Sequence, residues 1–336
     1  MSRQRAVAVL LGAAIGVVLV DTVLLLAISS RDPLPAFAIA ILRVAAVVMV
    51  RRLLVFELFA GSGAKLLMYA AALFAVFGSK LTWSVHDWLW PAACRALSGI
   101  APALDLLDRI LAAAIAALIL SAILVASRSN QCQVDRPPRA WSVALIAGLA
   151  FAFLFLLGQE YLRRLGIEPW CDALTNDALP SPFRLANEVV SGFEEEIVLT
   201  GIPLALLAFS RWPAMAAAVA VNVLARSTLH LYYTEQATTL WWVGWVAIWS
   251  GAALMVALLV GRQAISMGMS VTRCVLAYTV TTAATHSLTN LVGPGGTWLL
   301  TCGLTVAVVV CMTLLKRRNP LWWLEGRNEA AVPPVD

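Results

Sequence analysis

The chain has 336 residues, of which 61% are hydrophobic and 13% are charged, and its formal net charge is +5. Soluble domains carry about 25% charged residues, so this composition excludes an ordinary water-soluble protein and indicates a protein of the lipid bilayer. A nucleic-acid partner is not expected either, because it would require a soluble module with a basic face and interleaved aromatic residues.

Long apolar runs recur along the chain, and a run of about 20 such residues can span a bilayer as a helix. They predict an all-α fold, a polytopic transmembrane helix bundle with about ten spans; counts of eight to ten fit, because the third run is short and the fourth begins with charged residues. Strands of a membrane barrel would be shorter and would alternate. The candidate spans lie near residues 6–28, 34–50, 65–79, 101–126, 141–158, 187–209, 213–233, 239–261, 273–292 and 297–315.

Most arginines and lysines fall on one side of a ten-span topology, which predicts that both termini are cytoplasmic. The first apolar run follows Arg3 and Arg5, but it exceeds the 7–15 residues of a usual signal peptide. We therefore expect a retained signal-anchor helix. The predicted location is a cell membrane, the bacterial inner or plasma membrane.

The chain divides into three predicted parts. Residues 1–140 form N-terminal membrane helices of unknown role and end in a polar, Pro-containing linker. Residues 141–315 form a second bundle, in which a loop of roughly 28 residues, 159–186, separates the first two helices. Residues 316–336 form a cytoplasmic tail.

Polar residues interrupt the apolar runs of the second bundle. Glu195 and Glu196 lie in one run, His230 in the next, and His286 with Asn290 in a third. Because a charged side chain near the bilayer centre costs roughly 2.5–3.5 kcal/mol even on lenient scales, such residues predict a polar site inside the bundle. In the ten-span topology, all three runs deliver their polar groups to the same leaflet.

Spacing within the predicted helices supports this interpretation. His286 and Asn290 are four residues apart and share a helix face, and Asn222, Arg226 and His230 form a polar stripe at the same interval. Glu196 and Thr200 are spaced in the same way. A purely structural bundle with interhelical hydrogen bonds would show similar stripes, so this alternative stays open.

The sequence EEIVLTG, a histidine about 35 residues later and the pattern HxxxN resemble the CAAX protease and bacteriocin-processing (CPBP) family of glutamate-dependent intramembrane proteases. The family pattern is EExxxR, then FxxxH, then HxxxN, and the resemblance covers about residues 186–292. It implies that Glu195 and His230 activate a water, and that His286 and Asn290 stabilise the oxyanion. Glu196 would be a supporting carboxylate.

The chain departs from this pattern at two positions, because Thr200 replaces the motif arginine and Arg226 replaces the motif phenylalanine. The two positions lie at similar depth on antiparallel helices. We therefore hypothesise that Arg226 supplies the missing cation from the facing helix and pairs with Glu196. The alternative is that loss of the motif arginine marks a family member without protease activity.

Other interpretations of the same residues remain open. A zinc protease is one, since glutamate and histidine bind zinc, although no HExxH is present and asparagine is a poor zinc ligand; we predict no metal or other cofactor. A non-catalytic immunity or scaffold protein is another. A transporter is a third, but no repeat between halves is visible. The expected partner is a peptide or a membrane-protein tail; prenyl recognition is not indicated, and the sequence does not predict the oligomeric state.

Two further patterns lie outside these motifs, a group of tryptophans and a pair of single charges. Trp241, Trp242, Trp245 and Trp249 stand at the start of one run, which is typical of anchoring at the membrane interface. Asp21 and Arg43 are single charges in the first two runs, and we expect them to pair across those helices.

Overall fold

A computed structural model describes residues 2–28, 33–55, 61–89, 101–127, 140–167, 181–231 and 238–318, and every element within these ranges is a helix. The order is α1 (Arg3–Ile28), α2 (Pro33–Val55), α3 (Ser62–Leu89), α4 (Ala101–Ser127), α5 (Ala140–Arg164), α6 (Ser181–Glu196), a π-helical turn π1 (Ile197–Gly201), α7 (Ile202–Leu207), α8 (Trp212–Leu229), α9 (Thr239–Val246), a second turn π2 (Ala247–Gly251), α10 (Ala252–Ser266) and α11 (Val271–Arg318).

The all-α prediction is therefore confirmed for the described residues, and five helices among them are long and apolar enough to cross a membrane. The number of about ten spans is not confirmed. The helices that carry the predicted site residues are outside this set of five. The five segments are Arg3–Leu26, Ser62–His86, Ala103–Ser127, Ser142–Arg164 and Thr239–Ser266.

The predicted loop 159–186 is shorter in the structure, because α5 continues to Arg164 and α6 begins at Ser181. The charged end of α5 stays helical since Glu160 accepts hydrogen bonds from Arg163 and Arg164, three and four residues later, the spacing at which side chains meet on a helix. The rest of this loop, the linker 128–139 and the end of the tail fall outside the described residues.

The last two predicted spans are joined in one helix, α11, rather than separated by a loop. The joint is sharply bent, because Thr297 Oγ1 lies 3.5 Å from the carbonyl oxygen of Thr289, eight residues back. In a straight helix a threonine hydroxyl reaches the carbonyl four residues back, as Thr301 Oγ1 does at 2.8 Å, and the next carbonyl of that row lies about 6 Å farther along the axis. The sequence between Thr289 and Thr297 includes Gly293-Pro294-Gly295-Gly296, and a proline in a helix removes one backbone hydrogen bond and kinks the chain. The predicted break is therefore a bend.

One hydrophobic core runs through both halves of the chain. Buried residues from α1 to α4, including Leu11, Val47 and Ile119, belong to the same cluster as Leu199, Leu258 and Val275 from the later helices. The packing is thus continuous across residue 140, where the sequence predicts a division.

Helices α6 and α11 approach each other closely at Gly192. A Cβ atom added there would lie 2.3 Å from Ser287 Oγ and 2.7 Å from the carbonyl oxygen of Ala283. Glycine at this position therefore sets the distance between the helix that carries the glutamates and the helix that carries His286.

We expect Gly192→Ala to destabilise the protein by about 1–3 kcal/mol, the usual cost of adding volume to a packed interior. The measurement is the midpoint of thermal unfolding of the purified full chain in detergent. Gly16→Ala on α1 is the matched control, because a Cβ there meets nothing within 4 Å. Equal midpoints for the two variants would contradict the close approach.

Candidate active site

Two π-helical turns contribute to the site, one between α6 and α7 and one between α9 and α10. Turn π1 begins directly after Glu196, and turn π2 contains Trp249 and Ser250. Such widened turns are rare and often mark functional sites. They shift the hydrogen-bond register, and in π1 the carbonyl oxygen of Leu199 accepts a hydrogen bond from Asn222 Nδ2 at 2.6 Å.

The guanidinium of Arg226, on α8, lies at the centre of the site. Its Nη2 donates to Glu195 Oε2 at 2.7 Å and to Glu196 Oε1 at 2.8 Å, and His286 Nδ1 lies 3.3 Å away. Its Nη1 donates to Ser250 Oγ at 3.0 Å. Three helices that are far apart in sequence thus converge on one buried cation, and the predicted pairing of Arg226 with Glu196 is confirmed.

The polar stripe predicted on α8 points into the bundle. Ser250 Oγ, which accepts from Arg226, donates in turn to Asn222 Oδ1 at 2.8 Å. Asn222 and Arg226 are each about 1% exposed. Buried polar groups need such partners, so the stripe and turn π2 hold each other in place.

The two glutamates have different surroundings. Glu196 is fully buried; besides Arg226 it accepts a hydrogen bond from Thr200 Oγ1 at 2.6 Å, and it lies 3.3 Å from His286 Nδ1. The Glu195 side chain is 13% exposed, and its second oxygen meets only the Ser191 hydroxyl at 3.4 Å among the hydrogen bonds of the described residues. Glu195 is thus the more accessible carboxylate of the pair.

His286 is held between aromatic rings. Its ring centroid lies 5.5 Å from that of Phe151 and 5.8 Å from that of Trp249, and the guanidinium carbon of Arg226 lies 4.1 Å from the Trp249 centroid. Glu195 Oε2 and His286 Nδ1 both contact Arg226 Nη2, at 2.7 and 3.3 Å. These two atoms are therefore at most about 6 Å apart.

His230 follows the last turn of α8 and is half-buried. Its Nδ1 lies 2.7 Å from the carbonyl oxygen of Arg226. A carbonyl can only accept, so Nδ1 carries the hydrogen and a neutral ring presents Nε2 as an acceptor.

Asn290 is on the same helix as His286, but its printed hydrogen bond is to a different carboxylate. Its Nδ2 donates to Glu188 Oε2 at 3.0 Å. Glu188 stands seven residues before Glu195, about 10 Å along the helix. The structure therefore brings Glu195, Glu196, Thr200, Arg226 and His286 into one bonded cluster, with His230 beside it, and does not place the Asn290 amide on that cluster.

The interfacial interpretation of the tryptophans is wrong for three of them. Trp242, Trp245 and Trp249 are buried, whereas Trp241 is 48% exposed. The first three are spaced by three and four residues, so they share the helix face that points to the bundle. Trp245 meets His230 edge-on, with ring centroids 6.0 Å apart. The intervals of three and four residues between these tryptophans were the signal in the sequence that they face the bundle.

No three His, Cys, Asp or Glu side chains of the described residues are grouped so that they could hold a metal ion. Within the candidate site, the guanidinium of Arg226 lies between the carboxylates and His286. The positive charge that faces both glutamates thus comes from the chain itself.

Comparison with models of protein families, with curated proteins and with solved structures gives no match. The resemblance to the CPBP family therefore depends on the motif residues alone, and the function is inferred from the geometry.

Proposed function

We propose that the protein is an intramembrane endopeptidase that hydrolyses a peptide bond in a membrane-associated peptide or protein tail with a glutamate-activated water. The observation that carries the proposal is the convergence of Glu195, Glu196 and His286 on the buried Arg226, with contacts of 2.7, 2.8 and 3.3 Å. Ionisable residues inside a bilayer protein are costly, so a buried group of them is a functional-site hypothesis by default.

In the proposed reaction, Glu195 is the general base, because it is the glutamate with the accessible oxygen. It removes a proton from water, which attacks the scissile carbonyl, and the proton passes to the leaving amine. His230 receives a hydrogen bond from the same water through Nε2 and orients it. His286 carries a hydrogen on both ring nitrogens in this step. Its Nδ1 donates to Glu196, which is fixed by Thr200 and Arg226, and its Nε2 donates to the oxyanion.

Asn290 is the second proposed oxyanion donor. An amide nitrogen carries two hydrogens, so the one that binds Glu188 leaves the other for substrate. We expect Asn290→Ala to reduce the turnover number by roughly 100- to 1000-fold, the usual effect of removing one oxyanion donor, with little change in KM. A matching fall in turnover after Leu288→Ala, a control at an exposed side chain of the same helix, would contradict this role.

The proposal includes a location in a cell membrane, about ten spans with both termini cytoplasmic, and a site that opens toward the outer side. The excess of arginine and lysine on one side supports this topology. The test is to place a tag in the 159–186 loop and measure whether it reacts in intact cells. A tag that reacts only after lysis would show the opposite orientation.

The function is tested by comparing the membrane proteomes of cells that produce the wild type and Glu195→Gln. Hydrolysis predicts that defined protein tails persist with Glu195→Gln and appear as new termini with the wild type. Each candidate tail is then incubated with purified protein. Identical termini in the two cultures would overturn the proposal.

A second candidate is a non-catalytic membrane protein that binds a peptide. One observation favours it: Arg226 neutralises Glu195 directly, in place of the motif arginine. Glu195→Gln distinguishes the two, because it should remove hydrolysis and leave peptide binding intact. A zinc enzyme would instead be inhibited by phenanthroline and would contain zinc after purification.

A further inference from the structure

Acidic side chains are paired with basic ones almost throughout the part of the chain that the structure describes. Of the eight acidic side chains in that part, seven form an ion pair with an arginine or a lysine. They include the pair of Asp21 with Arg43 that the sequence predicts across the first two helices, which is therefore confirmed. Glu188 is the exception, because no cation among the described residues pairs with it. The seven paired acids are Asp21, Asp105, Asp108, Glu160, Glu194, Glu195 and Glu196.

The carboxylate of Glu188 is held in place by a neutral group. Its Oε2 accepts a hydrogen bond from Asn290 Nδ2 at 3.0 Å, and its other oxygen, Oε1, has no partner among the described residues. An amide donates a hydrogen but carries no charge, so this contact leaves the negative charge of Glu188 uncompensated. The residue is half-buried and Oε1 is not enclosed by protein, so this oxygen is open to a molecule that enters the site.

Glu188 lies on the same face of α6 as Glu195. The two residues are seven positions apart, which is about two helical turns and about 10 Å along the axis. An extended peptide advances about 3.3 Å per residue, so three of its residues span this distance. A peptide that runs along α6 with its scissile bond at Glu195 therefore brings its third residue to Glu188.

Two chain segments are attached at the end of the bundle where Glu188 lies. Arg226 contacts Glu196, and Asn222, one turn earlier on α8, contacts Leu199, three residues after Glu196. Helices α6 and α8 are thus antiparallel. The segment that leads into α6 and the segment that follows α8 therefore join the bundle at the same end.

The sequence of this end is acidic. Residues 159–191 and 230–238 contain six acids, three arginines and no lysine. Arg163 and Arg164 both pair with Glu160, so Arg184 is the one arginine left against the other five acids. Charge of one sign attracts ligands of the opposite sign, which favours a cationic partner for Glu188. The six acids are Glu160, Glu168, Asp172, Asp177, Glu188 and Glu235.

We propose that Glu188 binds a basic side chain of the substrate, a lysine or an arginine about three residues from the cleaved bond. This side chain donates to Glu188 Oε1 while Asn290 keeps Oε2, and a hydrogen bond between charged groups is roughly twice as strong as a neutral one. The inference rests on the proposed peptidase function and adds the substrate class to it. That class is a peptide or protein tail with a basic residue close to the cleaved bond.

The first test extends the membrane-proteome comparison of the wild type with Glu195→Gln. Among the new termini that the wild type produces, we expect lysine and arginine to be enriched about three residues from the cleaved bond, on one side of it. Glu188→Lys should replace this preference by one for aspartate and glutamate at the same position, because it reverses the charge that faces the substrate.

The second test uses one identified tail as two synthetic peptides, with lysine or with glutamate at the enriched position, and the purified full chain in detergent. For the wild type we expect kcat/KM to be about tenfold or more higher for the lysine peptide, the effect of one hydrogen bond between charged groups. Glu188→Gln keeps an oxygen for Asn290 but removes the charge, so it should bring this ratio most of the way to one. Glu188→Lys should invert it. Each ratio compares two peptides on one variant, so a general loss of turnover through Asn290 cancels.

Glu160→Gln is the matched control, because it removes a carboxylate at the end of α5 that already has two arginine partners. It should keep the wild-type ratio. Cleavage without a basic preference, or a preference that survives Glu188→Lys, would overturn this inference alone. Identical termini from the wild type and Glu195→Gln would overturn it together with the peptidase function.

Discussion

Replacing Glu195 by glutamine is expected to reduce hydrolysis roughly 100- to 10,000-fold, the usual contribution of a general base, while leaving the fold intact. Glutamine still presents an oxygen to Arg226 Nη2, and that guanidinium still pairs with Glu196. The measurement is the turnover number on a tail identified by the membrane-proteome comparison, together with the midpoint of thermal unfolding.

Glu160→Gln is the control for this experiment. Glu160 pairs with Arg163 and Arg164 at the exposed end of α5, away from the cluster around Arg226, and should change neither quantity. Full turnover by Glu195→Gln would show that Glu195 is not the general base. Loss of turnover accompanied by unfolding would leave the role of Glu195 structural.

Arg226→Ala is expected to have the largest effect on stability, a loss of about 3–5 kcal/mol, because removing one partner leaves buried charges uncompensated. The variant leaves two carboxylates without their cation in a desolvated interior and removes the donor to Ser250, which keeps its bond to Asn222. Thermal unfolding in detergent measures the change. Arg164→Ala, at a side chain that is 76% exposed, should be nearly neutral.

The double substitution Thr200→Arg with Arg226→Phe moves the arginine from α8 to the turn after Glu196. It tests whether the site needs a cation there or needs it specifically at position 226. It restores the family pattern at both positions, and Thr200 is close enough to donate to Glu196 already. We expect the double variant to recover both stability and hydrolysis relative to Arg226→Ala. A harmless Arg226→Ala would contradict the compensation hypothesis.

The sequence was sufficient to predict the contacts that depend on depth and helix face. The depth argument placed Glu196 and Arg226 at a similar level on antiparallel helices, and the four-residue spacing placed Thr200 beside Glu196; both contacts are present in the structure. The pair of Asp21 and Arg43 was predictable for a similar reason, since two lone opposite charges in neighbouring apolar helices have few other partners.

Other contacts depend on how the helices rotate and approach, which the spacing of residues does not determine. The turn π1 shifts the register after Glu196, and the sharp bend of α11 follows Asn290. Neither is encoded by a regular interval of 3.6 residues. The pairing of Lys80 with Glu194 joins residues 114 positions apart. It depends on the tertiary arrangement in which α4 packs against both α3 and α6.

That pairing has a consequence for any attempt to find a minimal active fragment. The motifs occupy about residues 186–292, yet the acid next to Glu195 obtains its counter-ion from a helix more than 100 positions upstream. A truncated protein that starts at residue 140 would strand this carboxylate in an apolar interior. Residues 1–139 are therefore an integral part of the catalytic unit that we infer, rather than a detachable anchor.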